Sequence, residues 1–348
     1  MKGPRLLFVL GGFVGLATLA IALLSANRSS LINWQIERGV REGVASQEVS
    51  PTRFELIFCG TGTPQFFPDR SQPCLGVIAA GKFFLFDAGQ NASRQLSATA
   101  SPFTKLEAVF LTHLHSDHMS GVADVLHSSW LMGRQPDVSV VGPPGTQQLL
   151  DGIHQGYSND IEERQRVLGV EYLETTVNLG QATEVTIDTE DAAVVYEADG
   201  LVIEAFRVDH PDWSYAYGYR ISFGGKTVVV SGDTKYTPAI AKHAQGADIL
   251  IHEAVNLDMM EQIASALRQF GGPVNPDRLA LISAVHTPTL EVARVAKEAN
   301  VEKLVLTHLI PPIPPNFIAE QHYSSGMDDI YDGELVIARD GMRITLIE

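Results

Sequence analysis

Short apolar runs, each closed by a polar or glycine-containing turn, set the rhythm of this chain. Phe54-Glu55-Leu56-Ile57-Phe58-Cys59 reads as a strand and gives way to Gly60-Thr61-Gly62-Thr63-Pro64. Further strands are predicted at 75–80 and 83–87, joined at Gly81, and then at 108–112 and 138–141. From Gly121 to Met132 the apolar residues Val122, Val125, Leu126 and Leu131 fall at helical spacing, and a helix is predicted to begin at Thr146. Residues 151–195 are less regular. They are expected to form a lid or substrate-shaping insertion, with a plain peripheral piece as the alternative. The second half repeats the pattern. Strands are predicted at 201–208, 215–223, 227–230, 249–251 and 304–306, with a hairpin through Gly224-Gly225. Residues 289–300 form an amphipathic helix with Val292, Val295 and Ala296 on one face. Strands and helices distributed over two halves predict an α/β fold.

The extreme N-terminus follows a different pattern. Lys2 and Arg5 precede an uninterrupted charge-free apolar stretch, residues 6–24. Such a stretch is long enough to span a bilayer. Residues 1–26 are therefore expected to be a hydrophobic helix, either a signal peptide or a membrane anchor. The basic N-terminus places the body outside the cytoplasm, exported or tethered. Residues 27–52 read as a linker with a short helix, and residues 53–348 as the main domain.

Composition narrows the picture only modestly. The 348 residues are 45% hydrophobic, enough for one large domain. The formal net charge of -16 argues against a bare phosphodiester backbone as partner. The two cysteines, Cys59 and Cys74, could pair in an oxidising compartment, but the sequence leaves the pairing open. Two cysteines cannot form a metal site alone, so any such site must draw on histidine and carboxylate.

Those residues are present. Thr112-His113-Leu114-His115-Ser116-Asp117-His118 packs three histidines and an aspartate directly after an apolar strand. Neutral imidazole and carboxylate suit zinc and similar ions. Later strands run into Asp209-His210, Ser231-Gly232-Asp233-Thr234, His252-Glu253 and Thr307-His308. In α/β sheets, sites gather at the carboxyl ends of strands. Histidines 127, 154, 243 and 322 are isolated and read as ordinary surface or core residues.

Taken together, His113-x-His115-x-Asp117-His118 with His210, Asp233 and His308 resembles the metallo-β-lactamase superfamily. Within it the chain is similar to the ribonuclease Z and arylsulfatase-like branch, through Gly60-Thr61-Gly62-Thr63-Pro64, Phe86-Asp87-Ala88-Gly89, Tyr217-Gly218-Tyr219-Arg220, Ser231-Gly232-Asp233-Thr234, His252-Glu253-Ala254 and Leu306-Thr307-His308. The resemblance covers about residues 54–346. It implies a four-layer αβ/βα sandwich and two divalent metal ions, usually zinc. It assigns His113, His115 and His210 to one ion, and Asp117, His118 and His308 to the other, with Asp233 bridging. Asp117 would also act in catalysis. It further implies that His252 assists leaving-group protonation, oriented by Glu253, and that Asp87 buttresses the ligands. His286, in Val285-His286-Thr287-Pro288, is a candidate pocket residue, with a structural role before the helix as the alternative.

The resemblance leaves the substrate open, because one fold hosts many reactions. Ribonuclease Z members that process tRNA usually carry a long arm between their Gly-Tyr-Arg and Gly-Asp-Thr segments. Here eleven residues separate Arg220 from Gly232. That gap, the acidic charge and the export reading favour a small-molecule ester substrate, phosphodiester or sulfate ester, attacked by hydroxide held on the metals. They count against nucleic acid. Ribonuclease Z-like cleavage of RNA 3′ ends, hydrolysis of a lactone or carboxylic ester, and a non-catalytic metal-binding role stand as alternatives. Oligomeric state is left open.

Overall fold

Two seven-stranded sheets gather the apolar runs. The computed structural model describes residues 28–134, 137–174, 180–211 and 215–348. The first sheet runs β14 (Arg343–Ile347), β1 (Phe54–Gly60), β2 (Cys74–Ala79), β3 (Lys82–Ala88), β4 (Leu106–Phe110), β5 (Ser139–Gly142), β6 (Gln181–Glu184). The second runs β13 (Glu334–Ile337), β12 (Lys303–Ile310), β11 (Ile249–Val255), β10 (Lys226–Val230), β9 (Tyr217–Phe223), β8 (Leu201–Arg207), β7 (Ala193–Ala198). Both are mixed in the same way. Pairing is antiparallel from β14 to β3 and from β7 to β10. It becomes parallel from β3 to β6 and from β10 to β13.

The period of each strand explains its layer. Strands β1, β2 and β11 are buried along their whole length, as continuous apolar runs in sheets covered on both faces should be. Side chains alternate between two cores. Phe84, Phe86 and Phe110 of the first sheet meet Tyr219, Ile221 and Ile251 of the second in a core between the sheets. Phe86 stacks on Phe110 at 5.0 Å, and Tyr219 meets both edge-on at 5.2 and 5.6 Å. The opposite faces pack under helices: Leu85, Val109 and Val140 against Val122, Val125 and Leu126, and Val229, Leu250 and Leu304 against Val292, Val295 and Ala296. The result is helix, sheet, sheet, helix. The amphipathic helix read at 289–300 is Thr289–Glu298, and the helix read at 121–132 is Val122–Leu131.

Between β1 and β2 the chain makes a long, tightly held loop. Cys59 and Cys74 are joined by a disulfide at its two ends, their Cα atoms 4.9 Å apart. Buried Arg70 donates to the carbonyls of Ile313 and Ala338 and to Thr61 Oγ1, each at 2.7 Å. Asp340 accepts from the Thr61 amide and hydroxyl and from the Ser71 amide.

Some expectations change. The chain divides into two units, Met1–Glu48 and Val49–Glu348. In the first, a 19-residue helix, Arg28–Ser46, occupies most of the stretch read as a linker, and none of its residues is buried. The hydrophobic helix expected within residues 1–26 lies outside the described residues. Among the described residues no helix is long and apolar enough to cross a membrane. Residues 151–195 also behave differently from a lid. They hold most of the helix Thr146–Leu168 and the edge strands β6 and β7, and none of the described ones lines the main cavity.

Candidate metal centre

The two sheets change from antiparallel to parallel at β3/β4 and at β10/β11. The carboxyl ends of those strands deliver the polar residues. β3 carries Asp87 one residue before its end, β4 runs into His113, β10 into Asp233, and β12 contains His308. After β4 the chain turns into a one-turn helix, Ser116–Met119, which turns Asp117 and His118 inward. That turn sits very close to the end of β3. A Cβ at Gly89 would lie 2.1 Å from the Asp117 carbonyl oxygen, and one at Gly121 would lie 2.2 Å from the Gly89 carbonyl oxygen. Only glycine permits this approach. His308 adopts φ 44° and Asp87 φ 57°, conformations that cost a non-glycine residue roughly 1–3 kcal/mol and cluster at functional sites.

The geometry falls into groups. His113, His115, His210 and Asp233 bring one donor atom each within 4.8 Å of one another; so do Asp117, His118 and His308, and so do Asp233, His286 and His308. Asp233 Oδ2 lies 3.3 Å from Nε2 of both His118 and His308, and 3.9 Å from His113 Nε2, so it stands between the first two groups. All eight residues except the half-buried His115 are buried.

Asp87 organises the first sheet's contribution. Its Oδ1 accepts from the Thr112 amide at 2.8 Å, and its Oδ2 accepts from the Thr112 hydroxyl at 2.9 Å. The same Oδ2 lies 2.7 Å from His118 Nδ1. His118 Nε2 then points between Asp117 and Asp233, buried and without a hydrogen-bond partner. A carboxylate behind a histidine whose other nitrogen is left for an ion is the usual support for a metal ligand. The donor set, imidazole nitrogens and carboxylate oxygens, fits zinc and similar divalent ions.

The electrostatics agree with that fit. Burial pushes His113 well below the usual histidine range, and neighbouring imidazoles add to the effect. Burial likewise lowers His115 and His210. These rings are neutral near pH 7, the form that binds metal. Burial opposes charge on Asp233, but His308, His118 and His113 outweigh it and hold the carboxyl well below the usual range. Burial opposes charge on His118 as well, yet Asp233, Asp87 and Asp117 hold it well above. A divalent ion there would displace that proton.

Two of the expected active-site residues need correction. His252 was expected beside the metals. It shares a face of β11 with Leu250, the face packed under the helices, while Glu253 takes the other face. His252 Nδ1 lies 2.6 Å from the Glu253 carbonyl oxygen, and the residue lines none of the cavities at the centre. The one-residue step along a strand reverses direction, so Glu253 cannot orient His252 into the site. The residue that Glu253 does reach is His286, whose Nδ1 lies 3.3 Å from Glu253 Oε2. Glu253 Oε1 accepts from the Thr287 amide at 2.8 Å, and the Thr287 hydroxyl donates to the Thr234 carbonyl at 2.7 Å, which fixes the loop. The His286 ring lies 5.5 Å from His308 and 5.6 Å from His210. Burial lowers its pKa, but Glu253 outweighs burial and raises it to about 9.

The sequence reading also missed a wall. A cavity of 740 Å³ opens on the centre, bordered by His115, Asp117, His210, Asp233, His286 and His308. Its far side comes from the helices Leu257–Phe270 and Asp277–Ser283, with Met260, Ile263, Leu267, Leu279 and Ile282 facing the space. The signal was present in the i, i+3, i+7 spacing of Met260, Ile263 and Leu267.

Comparison with known proteins adds to this geometry. The Beta-lactamase superfamily domain matches residues 82–309. A ribonuclease Z of Mycobacterium bovis is 29% identical over 293 residues, covering 83% of this chain and 97% of that protein. A ribonuclease Z of Mycobacterium marinum is 30% identical, covering 74% of this chain and 87% of its own length. The short form of human tRNase Z superposes with a TM-score of 0.58 at 22% identity, over 83% of this chain and 98% of that one, and so shares the fold. These findings overturn two expectations. Relatives named as ribonucleases conflict with nucleic acid as an unlikely partner and with a small-molecule ester as substrate. Net charge sums the whole surface, whereas a strand-end cluster sets its own local field, so -16 did not exclude RNA. Export or anchoring also fails: it rested on residues 1–26 alone, and the matching relatives are ribonucleases Z over 83% of the chain. The sulfate-ester reading gains no support from these relatives.

Proposed function

The chain belongs to the metallo-β-lactamase superfamily, in its ribonuclease Z branch, and is a metal-dependent hydrolase of ester bonds; from that premise we propose that it cleaves RNA phosphodiesters at two divalent ions, zinc in the first instance. The match to ribonucleases along 83% of the chain carries this reading. We assign His113, His115 and His210 to one ion, Asp117, His118 and His308 to the other, and Asp233 to both. Ions so placed would neutralise charge on the phosphoryl oxygens and bring the pKa of water towards neutrality. Asp87 holds His118 in the orientation the ligand role needs. Asp117, on the cavity wall, serves both as ligand and as a group facing the substrate.

His286 takes the proton-transfer role. Glu253 Oε2 faces its Nδ1 at 3.3 Å as an ion-pair partner, which leaves Nε2 to hand a proton to the oxygen of the departing nucleotide. His252 has no such path and is read as a structural residue under the helices. The apolar wall faces the ligands across the cavity. The test is direct. Zinc-loaded protein is expected to cut an RNA carrying a 3′ extension, and chelation to abolish the cut. A protein that binds two zinc ions yet leaves every RNA intact would falsify the proposal.

A further inference from the structure

The cavity beside the ligand groups is not a plain funnel. At 740 Å³ it falls in the range of sites that enclose a small ligand, roughly 300–1,000 Å³. Its far wall is almost wholly apolar, and its carboxylates are the two at the metal centre, Asp117 and Asp233. Two further features face the same space. Phe66, in the disulfide-closed loop, is 84% exposed, a large aromatic ring held out with little packing around it. Arg278, on the helix Asp277–Ser283, makes no ion pair among the described residues. An aromatic ring, an apolar wall and an unpaired guanidinium together suit something flat, apolar on its faces and anionic alongside.

We infer that this cavity is a subsite for one unpaired nucleotide next to the scissile bond, its base against Phe66 and the wall of Met260, Ile263 and Leu267, and the neighbouring phosphate on Arg278. The inference rests on the RNA reading above and adds which part of the RNA is recognised and by what. Aromatic side chains accept any base with a free face, so the subsite selects unpaired over paired nucleotides and does not read sequence. A guanidinium suits phosphate because its planar fork matches the oxygens. The loop that presents Phe66 is closed at its base by the disulfide, by Arg70 and by Asp340, which keeps the ring at the mouth of the cavity.

The experiment measures binding apart from cleavage. Full-length zinc-loaded protein is titrated into fluorescein-labelled single-stranded RNA with one non-hydrolysable methylene-phosphonate linkage, and an abasic ribose is walked through the strand. One abasic position beside that linkage is expected to weaken binding about tenfold, in line with one lost stacking contact. In Phe66→Ala that penalty should disappear, because the ring that senses the base is gone. Arg278→Ala should weaken binding and flatten the slope of log Kd against log salt by about 0.7. Ile318→Ser, an equally exposed change outside the cavity, should leave binding unchanged. Annealing a complement should remove the abasic effect. Equal binding at every abasic position, an equal penalty in Phe66→Ala, or no binding at all would overturn the subsite. Cleavage of the ordinary linkage is scored separately. Base-dependent binding without cleavage keeps the subsite and removes the ribonuclease reading, whereas cleavage indifferent to the base does the reverse.

Discussion

Single residues decide whether this centre is one site or two. Asp233 stands 3.3 Å from both His118 and His308 and in the same group as His113, His115 and His210. Asp233→Ala is therefore expected to drop bound zinc to one ion or none per chain and to abolish turnover, read by metal analysis on the folded variant; two ions retained would count against a shared ligand. The two histidines flanking Glu253 separate in a second test. His286→Ala should slow RNA cleavage about 10²–10⁴-fold, the usual span for a lost proton donor, and should slow an activated aryl phosphodiester much less. His252→Ala should lower stability without favouring either substrate. An equal loss on both substrates in His286→Ala would leave it without a proton-transfer role. The pH profile carries the sign. Glu253 raises His286, and the protonated ring is the working form, so kcat falls as pH rises through its pKa. Glu253→Gln removes the raising charge and should move the alkaline limb to lower pH; an unmoved limb would assign it to another group.

At the scale of elements, close approach does what side chains alone cannot. The turn of Ser116–Met119 sits so near Gly89 that any Cβ there meets Asp117 backbone. Gly89→Ala should destabilise the fold by about 1–3 kcal/mol and weaken zinc binding together, a coupling seen by melting with and without zinc. A loss of stability with unchanged zinc affinity would show that the turn does not set the ligands. The disulfide works on the neighbouring loop. With its cysteines 15 positions apart in sequence, Cys59→Ser with Cys74→Ser should lower stability by about 3 kcal/mol on the chain-entropy account. The strand ends were legible because apolar runs stopping at His, Asp or Glu leave a plain mark, and the groups around His113, Asp117 and Asp233 follow from it. The His252 assignment failed for a reason of period two. Adjacent residues on a strand face opposite ways, and no local pattern says which of His252 and Glu253 looks inward. The wall at 257–283 was legible as amphipathic spacing, but its position over the metals depends on how β11 and β12 place the crossover between them.

For the molecule as a whole, the same three antiparallel and three parallel pairings in each sheet explain why the site lies where the halves meet. Each half supplies part of each group: His113 and His115 from the first join His210 and Asp233 from the second, and Asp117 and His118 from the first join His308 from the second. The unit Val49–Glu348 contains all of them, so a chain beginning at Val49 is expected to keep its melting temperature within about 2 °C and its zinc content; loss of either would tie residues 1–48 to the fold. The closing strand has a different consequence, in time. β14, the last strand among the described residues, pairs with β1, the first among them, through Phe54 with Ile347 and Leu56 with Ile344. During synthesis, then, β1 waits with one edge bare until residues 343–347 emerge, long after the rest of its sheet has been made. A ribosome that stalls or stops at Asp340 releases a protein with every metal ligand in place and an open strand edge, and that species should be lost to aggregation.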